Sequence, residues 1–449
     1  MIPGPTLASL AEALARGRTT SRALVEDCLA RIADAGGEGA RAFLHVATDG
    51  ARAASQAMDE LRQAGAAPSP FAGVPVSVKD LFDIEGETTR AGSRVLVGSK
   101  PAACDAVAVH RLKRAGFIVI GRTNMTEFAF SGVGINPHYG TPLCAWDRKQ
   151  GRAPGGSSSG AAISITDGMA YAALGTDTGG SCRIPAAFNG VVGYKPTARR
   201  VPLEGAFPLS STLDSIGPLA RSVRCCASVD AILAGEEEGD LTERAVAGLR
   251  ILVPKNYVLE DLDFDVARAF TDALTRLSKA GALVMESACP EIGEVPNVNA
   301  KGGFSPPESY AWHRPLMEKH GALYDPRVLA RIKRGAEQSA VDYIDLLRGR
   351  RDLIGRFESR MESYDLLVYP TTPIVAPPLS AFETDAEYIR LNGLILRNSS
   401  VINFLDGCAI SIPAARPPDA PVGLMLAAPA GRDRSLFAYA AAVERVLQP

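Results

Sequence analysis

The sequence predicts an α/β fold, and three observations carry that expectation. Apolar runs of strand length recur along the chain, segments of helical period separate most of them, and the composition is that of an ordinary globular protein. From Thr6 to about Ala66, apolar residues such as Leu7, Leu10, Ala11 and Leu14 recur at steps of three and four, with little Gly or Pro. This predicts an N-terminal helical arm over residues 1–66. Val74-Pro75-Val76-Ser77-Val78 then alternates apolar and small residues as a strand does. A helix-like stretch from Asp105 to Ala115 leads into the apolar run Phe117-Ile118-Val119-Ile120. Further buried strands are predicted at Ile251–Val253, Leu366–Tyr369, Ala409–Ile412 and Val422–Leu426.

Between Gly132 and Gly217 the texture changes. Gly, Ser and Pro become dense, yet apolar helical pieces interrupt them, which a flexible linker would not show. The acidic run Glu236-Glu237-Glu238-Gly239-Asp240 reads as a solvated turn, since unpaired carboxylates are seldom buried. Pro290 to Pro307 has no periodicity and carries Gly302-Gly303 and Pro306-Pro307, which predicts a long surface loop, and long loops are often lids over sites. No internal repeat is visible, and the 449 residues are read as one α/β unit.

Composition excludes several classes of function. Hydrophobic residues at 46% and charged residues at 22% argue against disorder and against a membrane bundle. A formal net charge of −2 leaves no basic field for nucleic acid or an anionic bilayer. No window approaches the ~18 uninterrupted apolar residues of a spanning helix, and the opening Met1-Ile2-Pro3-Gly4-Pro5 has no signal-peptide pattern. The eight cysteines (Cys28, Cys104, Cys144, Cys182, Cys225, Cys226, Cys289, Cys408) are scattered, without a C-x-x-C pair. Free thiols in a reducing cytoplasm are expected.

The chemistry narrows by elimination. The five histidines lie far apart, with no H-E-x-x-H, so zinc hydrolysis is not expected. Gly155-Gly156-Ser157-Ser158-Ser159-Gly160 lacks the Lys of a P-loop. It matches G-x-S-x-G, which would make Ser158 a nucleophile on a strand-to-helix elbow. The preceding Lys149–Pro154 is polar and Pro-broken, unlike the strand an elbow needs. A second cluster, Gly175-Thr176-Asp177-Thr178-Gly179-Gly180-Ser181-Cys182-Arg183, sets two glycines before a serine. Glycines let successive N–H groups converge on one point, as an oxyanion requires, which makes Ser181 the candidate nucleophile; an ordinary turn with an incidental serine would look the same. A serine needs a base. Lys79, at the end of the strand Val74–Val78, could be held neutral by burial, although most lysines in that position are simply solvated.

Taken together, Gly73-Val74-Pro75-Val76-Ser77-Val78-Lys79-Asp80, Gly155–Gly160 and Gly175–Ser181 resemble the amidase signature family in order and separation. Ser157 and Ser181 stand 24 residues apart, the register of that family. Weaker likeness runs through Thr123–Phe128, Asn189–Pro196 and Asp214–Pro218. The resemblance implies one large mixed β-sheet sandwiched by helices, with a core over 70–220 and a variable substrate-side segment over 290–350. It implies Lys79 as general base, Ser157 as a relay serine in a cis peptide, and Ser181 as the nucleophile that forms an acyl-enzyme. The N–H groups of Thr178, Gly179, Gly180 and Ser181 would form the oxyanion hole, with Ser158, Asp177 and Arg183 in support. For Asp177 and Arg183, a plain surface ion pair is the alternative. Neither metal nor organic cofactor is implied.

Departures from the family pattern bear on substrate. Cys182 follows the nucleophile where many relatives carry an aliphatic residue. Leu396 falls near the acid of glutamine-using amidotransferase subunits, and an apolar side chain there cannot pair with an α-amino group. Leu396 and a loop near Phe304 lean toward a small hydrophobic or aryl amide, an anilide or an aryl carbamate (urethane). The alternatives are a glutamine-dependent amidotransferase A-type subunit, with Arg331 as a surviving carboxylate binder and a need for partner subunits, and a catalytically silent binding subunit, against which the intact triad argues. A homo-oligomer is left open.

Overall fold

The apolar runs fold as strands of one sheet. The computed structural model describes residues 4–236, 241–415 and 418–448, so Glu237–Asp240 of the expected acidic turn lie outside the described residues. The strands are β1 (Phe43–Val46), β2 (Pro75–Lys79), β3 (Ile118–Thr123), β4 (Ala172–Thr176), β5 (Val192–Lys195), β6 (Ile216–Ala220), β7 (Arg250–Pro254), β8 (Leu283–Ser287), β9 (Leu366–Pro370), β10 (Cys408–Pro413) and β11 (Gly423–Ala428). Their order across the sheet is β1-β3-β2-β4-β6-β5-β10-β11-β9-β7-β8. The sheet is mixed: β3, β2 and β4 run parallel, as do β9, β7 and β8, while the strands between them are antiparallel.

Strand periodicity explains why helices cover both faces. Successive side chains point to opposite faces. Ile410, Ile412, Leu424, Leu426, Leu366, Val368, Ile251 and Val253 join one apolar core, whereas Ala409, Met425, Ala427, Leu367, Tyr369 and Leu252 join another. A strand buried on both faces reads as a continuous apolar run, which is how these four were visible in the sequence.

Two expectations are corrected. The region 1–66 is not helical throughout, because Phe43–Val46 forms β1 and pairs antiparallel with β3 at the sheet edge. Four strand residues between helices Ser21–Ala33 and Thr48–Gln63 are too few to break a helical period. Residues 290–307 are not one long loop either: they contain the helical turns Pro290–Gly293 and Val295–Val298 and the start of the helix Ser305–His320. Their prolines sit in first turns, where a missing N–H costs nothing. Among the described residues, no helix is long and apolar enough to cross a membrane, and all eight cysteines are unpaired.

Candidate active site

β2 and β4 lie side by side and parallel, with Val78 opposite Leu174, so their carboxyl ends bring Lys79 and Thr176 together. Carboxyl ends of parallel strands are where crevices open in α/β sheets. Lys79 is fully buried, and its Nζ donates to Ser157 Oγ and to Thr176 Oγ1, each at 2.8 Å. Burial pushes the Lys79 ammonium down to about 8; the nearby Cys182, Asp177 and Asp214 draw it only partly back.

Ser157 is fully buried and follows a cis Gly156–Ser157 peptide, as the resemblance implied. Its carbonyl accepts from the N–H of Thr126 at 3.1 Å. Ser158 sits at the start of the helix Ser159–Thr166, and no strand precedes it, which removes the elbow reading. Its N–H donates to the Ser181 carbonyl at 3.3 Å, and its hydroxyl donates to the Thr176 carbonyl at 3.4 Å.

The loop that carries Ser181 is built around a buried ion pair. Asp177 and Arg183 are both fully buried. Arg183 Nη2 donates to Asp177 Oδ1 at 2.8 Å and Nε to Oδ2 at 3.0 Å, so the surface-pair alternative does not hold. Burial alone would raise the Asp177 carboxyl, but the Arg183 charge and its hydrogen bonds outweigh it and hold the carboxyl well below the usual carboxylate range. The same carboxylate accepts from the N–H groups of Gly180 at 2.9 Å and Cys182 at 3.1 Å. Gly180 itself has φ +126°, and a Cβ there would collide with the Ser399 hydroxyl, so only glycine fits.

This corrects one oxyanion-hole assignment: the Gly180 N–H is turned to Asp177 Oδ1 and is not a free donor. The N–H groups of Thr178, Gly179 and Ser181 have no partner among the described residues and lie in the same loop. Ser181 is 4% exposed, and its hydroxyl makes no hydrogen bond among the described residues. The structure therefore joins Lys79 to Ser157 through side chains and joins Ser158 to Ser181 through the backbone.

Leu396 is half-buried beside this loop, its Cδ2 3.5 Å from where a Gly179 side chain would begin and its Cγ 3.0 Å from the same point on Gly132. Phe304 is not at the site. It is 1% exposed and packs against Tyr343 and Phe404 in a separate core, because a large apolar side chain just ahead of the helix Ser305–His320 is drawn inward rather than left on a lid. Arg331, half-buried, holds its guanidinium 4.7 Å over the ring of Phe130, two residues before Gly132. It has no ion pair or hydrogen bond among the described residues.

Three contributors were not foreseen. Thr176 accepts from Lys79. Asn403 Nδ2 donates to Asp177 Oδ1 at 2.9 Å while its Oδ1 accepts from Arg183 at 2.6 Å. Ser399 donates its hydroxyl to the Gly179 carbonyl at 2.6 Å. Ser399 and Asn403 are one turn apart on the helix Asp385–Phe404, a spacing that puts both on one face. Among the described residues, no His, Cys, Asp or Glu side chains group as a metal site would need.

The family model Amidase matches residues 23–437. The chain is 37% identical to 2-amino-5-chloromuconic acid deaminase of Comamonas testosteroni, over 98% of its own length and 96% of that protein. It is 35% identical to the glutamyl-tRNA(Gln) amidotransferase A-type subunit of Roseiflexus sp. (strain RS-1), again over 98% and 96% of the two chains. Its fold superposes on a crystal structure of an amidase with a TM-score of 0.89 at 33% identity, covering 99% of this chain and all of that one.

Proposed function

The chain belongs to the amidase signature family, and from that premise we propose that it hydrolyses the C–N bond of a small amide through an acyl-enzyme on Ser181. Ser181 Oγ attacks the carbonyl carbon, its proton passes through Ser157 to neutral Lys79, and the oxyanion meets the free N–H groups of the loop. The proton returns to the departing nitrogen, the C–N bond breaks, and water releases the acid by the same route. The observation that carries this reading is the buried Lys79–Ser157 contact at 2.8 Å, a lysine whose charge burial disfavours, held against a serine.

Burial lowers Lys79 to about 8, so its neutral form is within reach near neutral pH. Burial depresses this pKa, so the active, neutral form grows as pH rises. Turnover is expected to climb through about pH 8 and level off above it. A rate that is flat between about pH 6 and 10 would count against Lys79 as the base.

Two features support a substrate class. Leu396 offers the loop an apolar neighbour, which suits the hydrophobic or aryl body expected from the sequence, as an anilide or aryl carbamate would have. Arg331 adds a cation without a carboxylate of its own, and such a group seeks an anion. We therefore favour an amide with an apolar body and a carboxylate. The relative named for 2-amino-5-chloromuconic acid is a deaminase of a carboxylic acid, which is compatible. The amidotransferase reading keeps the support of the amidotransferase relatives but sets Leu396 where an α-amino group would need an acid.

The test compares the 4-nitroanilides of succinic and acetic acid, with glutamine in parallel. Wild type is expected to prefer the succinyl compound, and Arg331→Leu to raise its KM roughly 10- to 100-fold while leaving the acetyl compound unchanged. Equal loss on both substrates would sink the carboxylate assignment, and turnover of glutamine alone would favour the amidotransferase.

A further inference from the structure

The oxyanion loop is also held from outside by a carboxylate that the reaction does not use. Asp214 is 8% exposed, and its Oδ1 accepts from the Thr178 hydroxyl at 2.5 Å. Its Oδ2 accepts from the N–H groups of Leu209 at 2.9 Å and Ser210 at 3.0 Å. Burial raises this carboxyl to about 6 and Glu308 adds to the rise, while the three donors pull it back down.

A second buried carboxylate takes the opposite side of the same turn. Glu308, on the helix Ser305–His320, accepts from the Ser210 hydroxyl at 2.5 Å, from the Thr212 N–H at 3.1 Å and from the Thr212 hydroxyl. Tyr343, on the helix Ala340–Met361, donates its hydroxyl to Glu308 at 2.7 Å. A continuous path of hydrogen bonds thus runs from the 290–350 segment through the turn at 209–214 to Thr178, a residue with one of the free N–H groups. Backbone bonds between Asp177 and Ser215 hold the loop only at its first residue, one position before Thr178.

We propose that Asp214 is a positioning residue that fixes Thr178 in the oxyanion loop, and that Glu308 couples this loop to the 290–350 segment. The proposal rests on the reading of Ser181 as nucleophile. A donor aimed at an oxyanion acts only if its direction is fixed before the charge develops, and the Thr178 backbone is fixed by its side chain.

The probe is phenylmethylsulfonyl fluoride, which needs no knowledge of the natural substrate. An S–O bond forms at Ser181, the S–F bond breaks, fluoride leaves, and the serine proton passes to Lys79. Labelling is followed by mass spectrometry on the full chain, with melting temperature in parallel. Wild type is expected to be sulfonylated at Ser181. Asp214→Asn and Thr178→Val should each slow labelling about 10- to 100-fold; Asp214→Asn will also lower the melting temperature, since asparagine cannot accept at both oxygens. The double variant should be no slower than the worse single one, because both remove the same contact. Thr178→Ser, which keeps the hydroxyl, should restore the rate, and it keeps the test open if Asp214→Asn does not fold. Glu308→Gln should slow labelling by a smaller factor, and not further when Asp214 is already Asn.

Rates within twofold of wild type in Thr178→Val, or effects that multiply in the double variant, would overturn the positioning role. A Glu308→Gln protein that labels at the wild-type rate would overturn the coupling. Absence of label at Ser181 in wild type would instead remove the nucleophile reading, and this proposal with it.

Discussion

Ser181→Ala is expected to lower turnover of the succinyl 4-nitroanilide by about 10⁴- to 10⁶-fold, the scale on which loss of a hydrolase nucleophile falls, and to leave stability unchanged. The two halves of that expectation have separate causes. The alanine removes one oxygen that has no hydrogen-bond partner among the described residues, so no buried group is left unsatisfied. The N–H groups of Thr178, Gly179 and residue 181 remain, so any residual rate reflects substrate binding together with the proposed oxyanion hole. Lys79→Met should cost a similar factor, and the double variant little more, because nucleophile and base act as one unit. Lys79→Met will also lose stability, since the buried Ser157 Oγ and Thr176 Oγ1 lose their donor. Steady-state rates and urea midpoints on the three variants separate these effects. Activity of Ser181→Ala within tenfold of wild type would remove Ser181 from the mechanism.

The residues legible in the sequence were those announced by their immediate neighbours. Lys79 ended an apolar alternation and Ser181 stood in a glycine cluster; the cluster around Ser157 pointed by itself to Ser158, and Ser157 came only from the family resemblance. Thr176 carried no such mark: its meeting with Lys79 spans 97 residues and depends on β2 and β4 becoming adjacent parallel strands. Asn403 lies 226 residues from Asp177 and reads locally as one more polar position on a helix. Direction was hidden too, since G-G-S announces a nest of N–H groups but not that Asp177 turns the Gly180 donor inward. Phe304 misled for the opposite reason. Beside Gly302-Gly303 and Pro306-Pro307 it looked exposed, and only the tertiary packing against Phe404 buries it. β4 and β5 are short strands inside the Gly/Ser/Pro-rich stretch and β6 begins at its end, where composition masks the apolar run. β8 is an edge strand with Leu283 and Met285 exposed, so it lacks the apolar continuity that revealed β7 and β9.

Asp177→Asn is expected to destabilise the protein by about 3–5 kcal/mol, the range for breaking a buried ion pair on one side only. The loss comes mainly from what is left behind. Arg183 would keep its positive charge at full burial, with the Ser399 carbonyl, Asn403 Oδ1 and the Met425 sulfur as its remaining acceptors. Asparagine also cannot accept at both positions, so either Gly180 N–H, Arg183 Nη2 and Asn403 Nδ2 lose their partner at Oδ1, or Cys182 N–H and Arg183 Nε lose theirs at Oδ2. Since the folded-state pKa of Asp177 is depressed, its contribution is fully present above the ordinary Asp range near ~4 and is lost only as pH falls below it. The variant should therefore unfold at lower urea at pH 7, while its deficit against wild type narrows in acid. Replacing both partners, Asp177→Asn with Arg183→Met, should cost less than the sum of the single changes, because the stranded charge goes too. Activity should not return in that double variant, since Gly180 and Cys182 still lack the carboxylate that shapes the loop. Additive stability losses would mean that Asp177 and Arg183 act separately. Recovery of turnover in the double variant would mean that the carboxylate holds charge alone and leaves the oxyanion loop to other contacts.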